Sequence, residues 1–87
     1  MANHKSALKR ARQNINRRTR NRSAKTRIKN VVKDVQTAVD ENAKEAALEK
    51  LGTAKSVIDD TASKGIIHKN TAARRVSRLS KLVNAVN

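Results

Sequence analysis

The chain has 87 residues, of which 21 are lysine or arginine and 7 are aspartate or glutamate, so its formal net charge is +14. This length allows one small domain, and the positive excess indicates a polyanionic partner, most simply a nucleic acid. Cysteine and aromatic residues are absent, which excludes disulfide scaffolds, thiolate metal sites and RNA recognition by base stacking on aromatic side chains.

The charges are segregated along the chain. Residues 1–33 hold twelve basic residues and no acid, residues 34–62 hold all seven acids with three lysines, and residues 63–87 hold six basic residues and no acid. Only three of the nineteen Val, Ile, Leu and Met residues precede position 28. We therefore expect residues 1–87 to be a single nucleic-acid-binding domain, in which 28–87 form a bundle and 1–27 a basic helical extension.

The first predicted helix runs from about position 6 to position 39, because no glycine or proline interrupts this stretch. Within it, Ile28, Val32, Val35 and Val39 repeat at spacings of four, three and four, which is typical of one apolar helix face. At about 1.5 Å per residue, this helix would reach roughly 50 Å and extend beyond a small bundle.

Basic residues in the extension point in nearly every direction around a helix. Like charges four residues apart, such as Arg18 and Arg22, destabilise this helix unless phosphates neutralise them. The alternative, a disordered basic tail, would still bind polyanions. A short apolar repeat of Leu8, Ala11 and Ile15 has no predicted partner. The candidate RNA-binding residues of this segment are Lys5, Lys9, Arg10, Arg12, Arg17, Arg18, Arg20, Arg22, Lys25, Arg27 and Lys29.

The second predicted helix carries small and aliphatic residues at helical spacing: Ala43, Ala47, Leu51, Ala54 and Ile58. Asn42 followed by Glu45 has the spacing of a capping box that would begin this helix. Gly65 suits the left-handed residue that would end it. Gly52 lies inside the helix, and we attribute it to close packing. Glu45, Glu49 and Asp60 fall away from its apolar stripe, so we expect that face to contact solvent and not nucleic acid.

The third predicted helix begins between positions 67 and 71, with Asn70 as a plausible cap. Its apolar stripe consists of Ala72, Val76, Leu79, Val83 and Val86. Arg74, Arg78 and Lys81 lie on the opposite face with no acid in the segment, which favours phosphate contact over a merely solvated face. The candidate RNA-binding residues of this part of the chain are Lys64, His68, Lys69, Asn70, Arg74, Arg75, Arg78 and Lys81.

Alternation with a period of two residues is absent, so the sequence predicts an all-α three-helix bundle with a long first helix. A twelve-residue stretch closely resembles the signature of the bacterial small-subunit ribosomal protein S20 family: Lys64-Gly65-Ile66-Ile67-His68-Lys69-Asn70-Thr71-Ala72-Ala73-Arg74-Arg75. The opening residues 2–7 with Lys9 and Arg10, the stretch 20–23 and the stretch 77–79 are similar to the same family. The family often has a basic residue where this chain has Val76, so we expect Val76 at the edge of the bundle.

The resemblance implies a first helix that extends beyond the other two. It also implies direct binding to 16S ribosomal RNA, in the 5′ domain and near the long penultimate helix, early in assembly of the small subunit. Other small-subunit components are then neighbours, the location is the cytoplasmic ribosome, and no catalysis, cofactor, small-molecule substrate or membrane is implied.

Catalytic and metal sites have little support in the sequence. His4 and His68 are the two histidines, and no spacing of carboxylates suggests a metal site with them. We expect His68 to be a hydrogen-bond donor to backbone or phosphate. Adjacent Asp59 and Asp60 face different ways on a helix, so acid–base catalysis is not expected. Two other functions remain open: an architectural DNA-binding protein and an amphipathic protein at a membrane surface, although the basic segment lacks a broad apolar face.

Overall fold

The computed structural model describes residues 2–86, with side chains from residue 5 onward, and contains three α-helices. They are α1 (Ala2–Asp40), α2 (Lys44–Ser63) and α3 (Lys69–Asn84), and no strand occurs among the described residues. The all-α prediction with a long first helix is confirmed. The described chain measures 66 × 22 × 13 Å because residues 5–18 of α1 extend past the bundle with every side chain exposed.

The hydrophobic core lies where α1 packs against α2 and α3, and it begins at Ile28. The three predicted apolar stripes meet there. Ala38 and Val57 are buried in addition to them, whereas Val32, Val39, Ala43 and Leu51 are only half-buried. Val76 is half-buried at the edge of the core, as expected. The buried core consists of Ile28, Val35, Ala38, Ala47, Ala54, Val57, Ile58, Ala72, Leu79 and Val83.

The connection from α1 to α2 is built on Asn42, which has a left-handed φ of 56°. Its N–H donates to the Val39 carbonyl and the Ala43 N–H donates to the Ala38 carbonyl, both at 3.0 Å. This hydrogen-bond pair is a Schellman motif that ends α1. The predicted capping box is therefore wrong: Ala43 is the N-cap of α2 and makes no side-chain cap, because Asn42 already adopts the conformation that ends the preceding helix.

The connection from α2 to α3 repeats the same motif. Gly65 has a φ of 76°, its N–H donates to Ala62 O at 3.0 Å, and the Ile66 N–H donates to Thr61 O at 3.2 Å. The prediction that Gly65 is the left-handed residue after α2 is confirmed. α3 begins within the predicted range, but its N-cap is His68 and not Asn70.

Gly52 is exposed on α2, and a Cβ atom built there would meet no atom within 4 Å. The expectation that close packing explains this glycine is therefore wrong. An alanine would fit in the same space, so the glycine only weakens the helix.

Candidate nucleic-acid interface

All nineteen candidate RNA-binding residues have exposed side chains. Eleven lie on α1, Lys64 follows the end of α2, His68 precedes α3, and the remaining six lie on α3. Of the 21 lysines and arginines in the chain, all of which the structure describes, only Lys64 forms an ion pair with a carboxylate. The other cations are therefore free to bind an external anion.

The most continuous basic surface follows α1 and crosses to α3. Three adjoining depressions of about 450, 360 and 690 Å³ share Lys25 as a lining residue. Lys29 lines two of them, and Arg75 reaches two of them from α3. We call this surface the α1–α3 groove and define it by its cations: Arg18, Arg22, Lys25, Lys29, Lys33 and Arg75.

The α1–α3 groove contains no acidic side chain among the residues that line it. Its cations come from two helices that only tertiary packing brings together, and the helix spacing along α1 places them on one face. A row of cations without a compensating acid raises the local positive potential and attracts a chain of phosphates. Gln36 and Thr71 add polar groups to the same groove.

His68 lies at the end of the α1–α3 groove, beside Ile66, Ile67 and Thr71. Its Nδ1 accepts a hydrogen bond of 3.0 Å from the Asn70 backbone N–H, so the side chain caps α3. The expectation that His68 donates to the backbone is therefore wrong. Because Nδ1 is an acceptor, the proton of the neutral ring is on Nε2, which leaves one donor for a ligand.

A second groove lies on the other side of α1, where α1 meets the end of α2. It is lined by Arg20, Arg27 and Lys64, together with Asp60. The Lys64 Nζ lies 3.1 Å from Asp60 Oδ2, and this exposed pair contributes little to stability. The acid that was expected to contact only solvent thus lies among cations, and it lowers the positive potential of this groove relative to the α1–α3 groove.

Three further sets of candidates lie outside both grooves. Arg74, Arg78 and Lys81 are exposed on the face of α3 that is turned away from its buried residues, as predicted. Lys69 and Asn70 lie in the first turn of the same helix. The remaining set belongs to the part of α1 beyond the bundle and surrounds that helix: Lys5, Lys9, Arg10, Arg12 and Arg17.

Lys33, Gln36 and Thr71 line the α1–α3 groove but were not among the sequence-based candidates. Lys33 could have been found from its position four residues after Lys29 on the same helix face. Thr71 could not have been found from the sequence, because its proximity to Lys25 depends on how α3 packs against α1.

Neither a group of metal-ligating side chains nor a membrane-spanning helix occurs within the residues that the structure describes. No group of three histidine, aspartate or glutamate side chains lies together there in a way that could hold a metal ion. The side chain of His4 lies outside the described ones. None of the described helices combines the length and the apolar character needed to cross a membrane.

The sequence matches a family model described as "Ribosomal protein S20" over residues 2–84. Three curated relatives are each named "Small ribosomal subunit protein bS20". The one from Syntrophobacter fumaroxidans is 65% identical over 86 residues, covering 99% of this chain and 100% of the relative. Those from Oleidesulfovibrio alaskensis and Sulfurimonas denitrificans are 57% and 51% identical, and each comparison covers at least 99% of both chains.

Proposed function

Because the chain belongs to the ribosomal protein S20 family and is a component of the small ribosomal subunit, we propose that it binds 16S ribosomal RNA directly and stabilises the folded RNA during assembly. Membership of this family makes the chain a structural protein of the ribosome and not an enzyme. As a ribosomal protein of the small subunit, it belongs to the cytoplasm.

The observation that carries this proposal is the α1–α3 groove. Five cations of α1 and Arg75 of α3 line adjoining depressions that contain no acid. The grouping of charge matters more than the net charge, because a basic protein without such a groove would bind polyanions only diffusely. Here the folded chain arranges the cations in a row that is suited to one phosphate backbone.

The chemistry of the groove follows from its side chains. Arginine binds a phosphate through two parallel N–H donors, whereas a lysine ammonium acts as a point charge. Such contacts fix the position of the protein on the RNA but carry little sequence information. Aromatic residues are absent, so base stacking cannot provide selectivity. Selectivity for 16S RNA then comes from the shape of the folded RNA. Only an RNA that places phosphates against both grooves and the extension simultaneously makes all of the contacts.

The whole chain acts as one RNA-binding domain in this proposal. Residues 28–87 supply the packed scaffold, and residues 1–27 carry cations away from it along a particle that is 66 Å long. That length allows one protein to contact RNA segments that are far apart in the RNA sequence. Contacts with the 5′ domain and with the long penultimate helix, which the family resemblance implies, are consistent with this reach.

Competition between nucleic acids tests the proposal. The full chain is bound to 16S RNA at moderate salt, and an excess of duplex DNA is then added. We expect the RNA to be retained, because duplex DNA offers phosphates but not the folded arrangement. Displacement of the RNA by this excess of duplex DNA would instead support the architectural DNA-binding function.

The outer face of α3 is tested separately. The triple variant Arg74→Gln, Arg78→Gln and Lys81→Gln removes three exposed cations and no core contact. We expect weaker retention of the RNA and lower incorporation into small subunits. Unchanged incorporation would remove this face from the proposed interface and leave the α1–α3 groove.

A further inference from the structure

Two large apolar side chains are exposed on α1 beyond the bundle. Leu8 is 49% and Ile15 is 61% exposed, and the core of α1 begins only at Ile28. A single exposed leucine is ordinary on a protein surface. These two residues are seven positions apart, about 10 Å along the helix, and therefore lie on the same face.

The apolar pair lies in line with the α1–α3 groove. Arg22 and Lys29 continue the same helix face from Ile15 toward the bundle, at the same seven-residue spacing. Along the helix axis, Arg18 lies between Ile15 and Arg22, and Lys25 lies between Arg22 and Lys29. The face from Leu8 to Lys29 then occupies an arc of about 100° around the helix axis. The first part of the face is apolar and the second part is basic.

Cations border the apolar pair on both sides. On the helix, Lys5 and Arg12 lie on one side of Leu8 and Ile15, and Arg18 lies on the other. No acid occurs in residues 1–33. The occupant of this face must therefore present negative charges on both sides of a less polar strip. A second copy of the chain would bring like charges and be repelled.

An RNA double helix offers this arrangement of charge. Its minor groove is wide and shallow and displays uncharged ribose 2′-hydroxyls and base edges between two rows of phosphates. We infer that Leu8 and Ile15 lie in the minor groove of an RNA helix, against the ribose edges, while Lys5, Arg12 and Arg18 bind the phosphates on either side. This inference rests on the proposed function and adds the way in which the extension approaches the RNA.

The test separates apolar contacts from phosphate contacts. The double variant Leu8→Gln and Ile15→Gln keeps the charge of the chain and replaces exposed residues with one that also favours helices. Its affinity for 16S RNA is measured at several salt concentrations. We expect a loss of about tenfold at every salt concentration, from apolar area that RNA no longer covers. The slope of log K against log salt stays the same, because no phosphate contact is lost.

Leu48→Gln is the matched control, since Leu48 is 48% exposed on the acid-bearing helix α2. We expect its RNA affinity to equal that of the wild type. Circular dichroism and the unfolding midpoint of both variants verify that the bundle is intact. An equal loss of affinity in the control would contradict the assignment to α1.

Other outcomes are distinguishable. Wild-type affinity in the double variant overturns the inference and leaves the proposed function standing, whereas salt-independent binding by the wild type overturns the proposed function itself. A shallower salt slope in the double variant shows that phosphate contacts were lost and overturns the minor-groove assignment. Unchanged RNA affinity with a loss of self-association, or of binding to vesicles that contain phosphatidylglycerol, assigns the apolar pair to a second copy or to a membrane.

Discussion

Replacing Lys25, Lys29 and Arg75 with glutamine removes three of the six cations that define the α1–α3 groove. Lys25 and Lys29 together line two of the depressions. Arg75 lines one of these two depressions with them. None of the three side chains is buried, so the core is unaffected. Removing the repulsion between Lys25 and Lys29 should stabilise α1 slightly, and a loss of binding therefore cannot come from unfolding.

The expected magnitude follows from counting phosphate contacts. Each contact contributes about −0.9 to the slope of log K against log salt on a duplex and about −0.7 on a single strand. Three lost contacts should make the slope less steep by about 2 to 3. At moderate salt, each exposed charge pair contributes up to about 1 kcal/mol, so the affinity for 16S RNA should fall by about 10- to 100-fold.

A filter-binding or fluorescence titration with 16S RNA between 50 and 200 mM salt measures both quantities. The matched control replaces Lys44, Lys50 and Lys55 with glutamine, which also lowers the net charge from +14 to +11. These lysines are exposed on α2 and line neither groove. An equal loss in both triple variants would refute the reasoning, because the long-range field and not the groove would then determine affinity.

Other expectations concern stability and the free protein. Gly52→Ala should raise the free energy of unfolding by roughly 0.5–1 kcal/mol, since the helix favours alanine and the space is open. Gly65→Ala should lower the free energy of unfolding by about 1–2 kcal/mol, because Gly65 has a left-handed φ of 76° that alanine disfavours, although the space around it is open. Urea denaturation measures both changes, and a change of the same sign in the two variants would contradict these expectations. Ile58→Ala should cost about 2–5 kcal/mol in the same assay, because Ile58 is 0% exposed. Without RNA, the amides of residues 5–25 should exchange faster than those of the core, since their like charges repel, and uniform protection in hydrogen exchange would overturn this expectation.

The bundle-forming parts of the helices could be predicted because apolar residues recur there at helical spacing. The extension of α1 could be predicted because no glycine or proline interrupts residues 6–39. The left-handed conformation of Gly65 could also be predicted, since glycine is the usual left-handed residue after a helix. The N-cap of α2 could not be predicted, because asparagine is favoured both as an N-cap and as a left-handed residue after a helix. In the structure Asn42 is the left-handed residue that ends α1. Ala43 is therefore the N-cap of α2, and it provides no side-chain cap.

The candidate site was predictable residue by residue but not as a surface. Charge segregation identified Lys25 and Arg75 separately, fifty positions apart in the sequence. Only the packing of α3 against α1 places them in one groove. The packing of α2 against α1 puts Asp60 among the cations of the second groove, which the periodicity of α2 alone did not indicate.

Lysine footprinting tests the central claim most directly. The full chain is treated briefly with an acetylating reagent, alone and bound to 16S RNA, and mass spectrometry reports the modification of each lysine. If phosphates occupy the α1–α3 groove, Lys25, Lys29 and Lys33 should become protected in the complex. Lys44, Lys50 and Lys55, equally exposed on α2, should react as before. Equal protection of the two sets, or protection of the α2 lysines alone, would contradict the account.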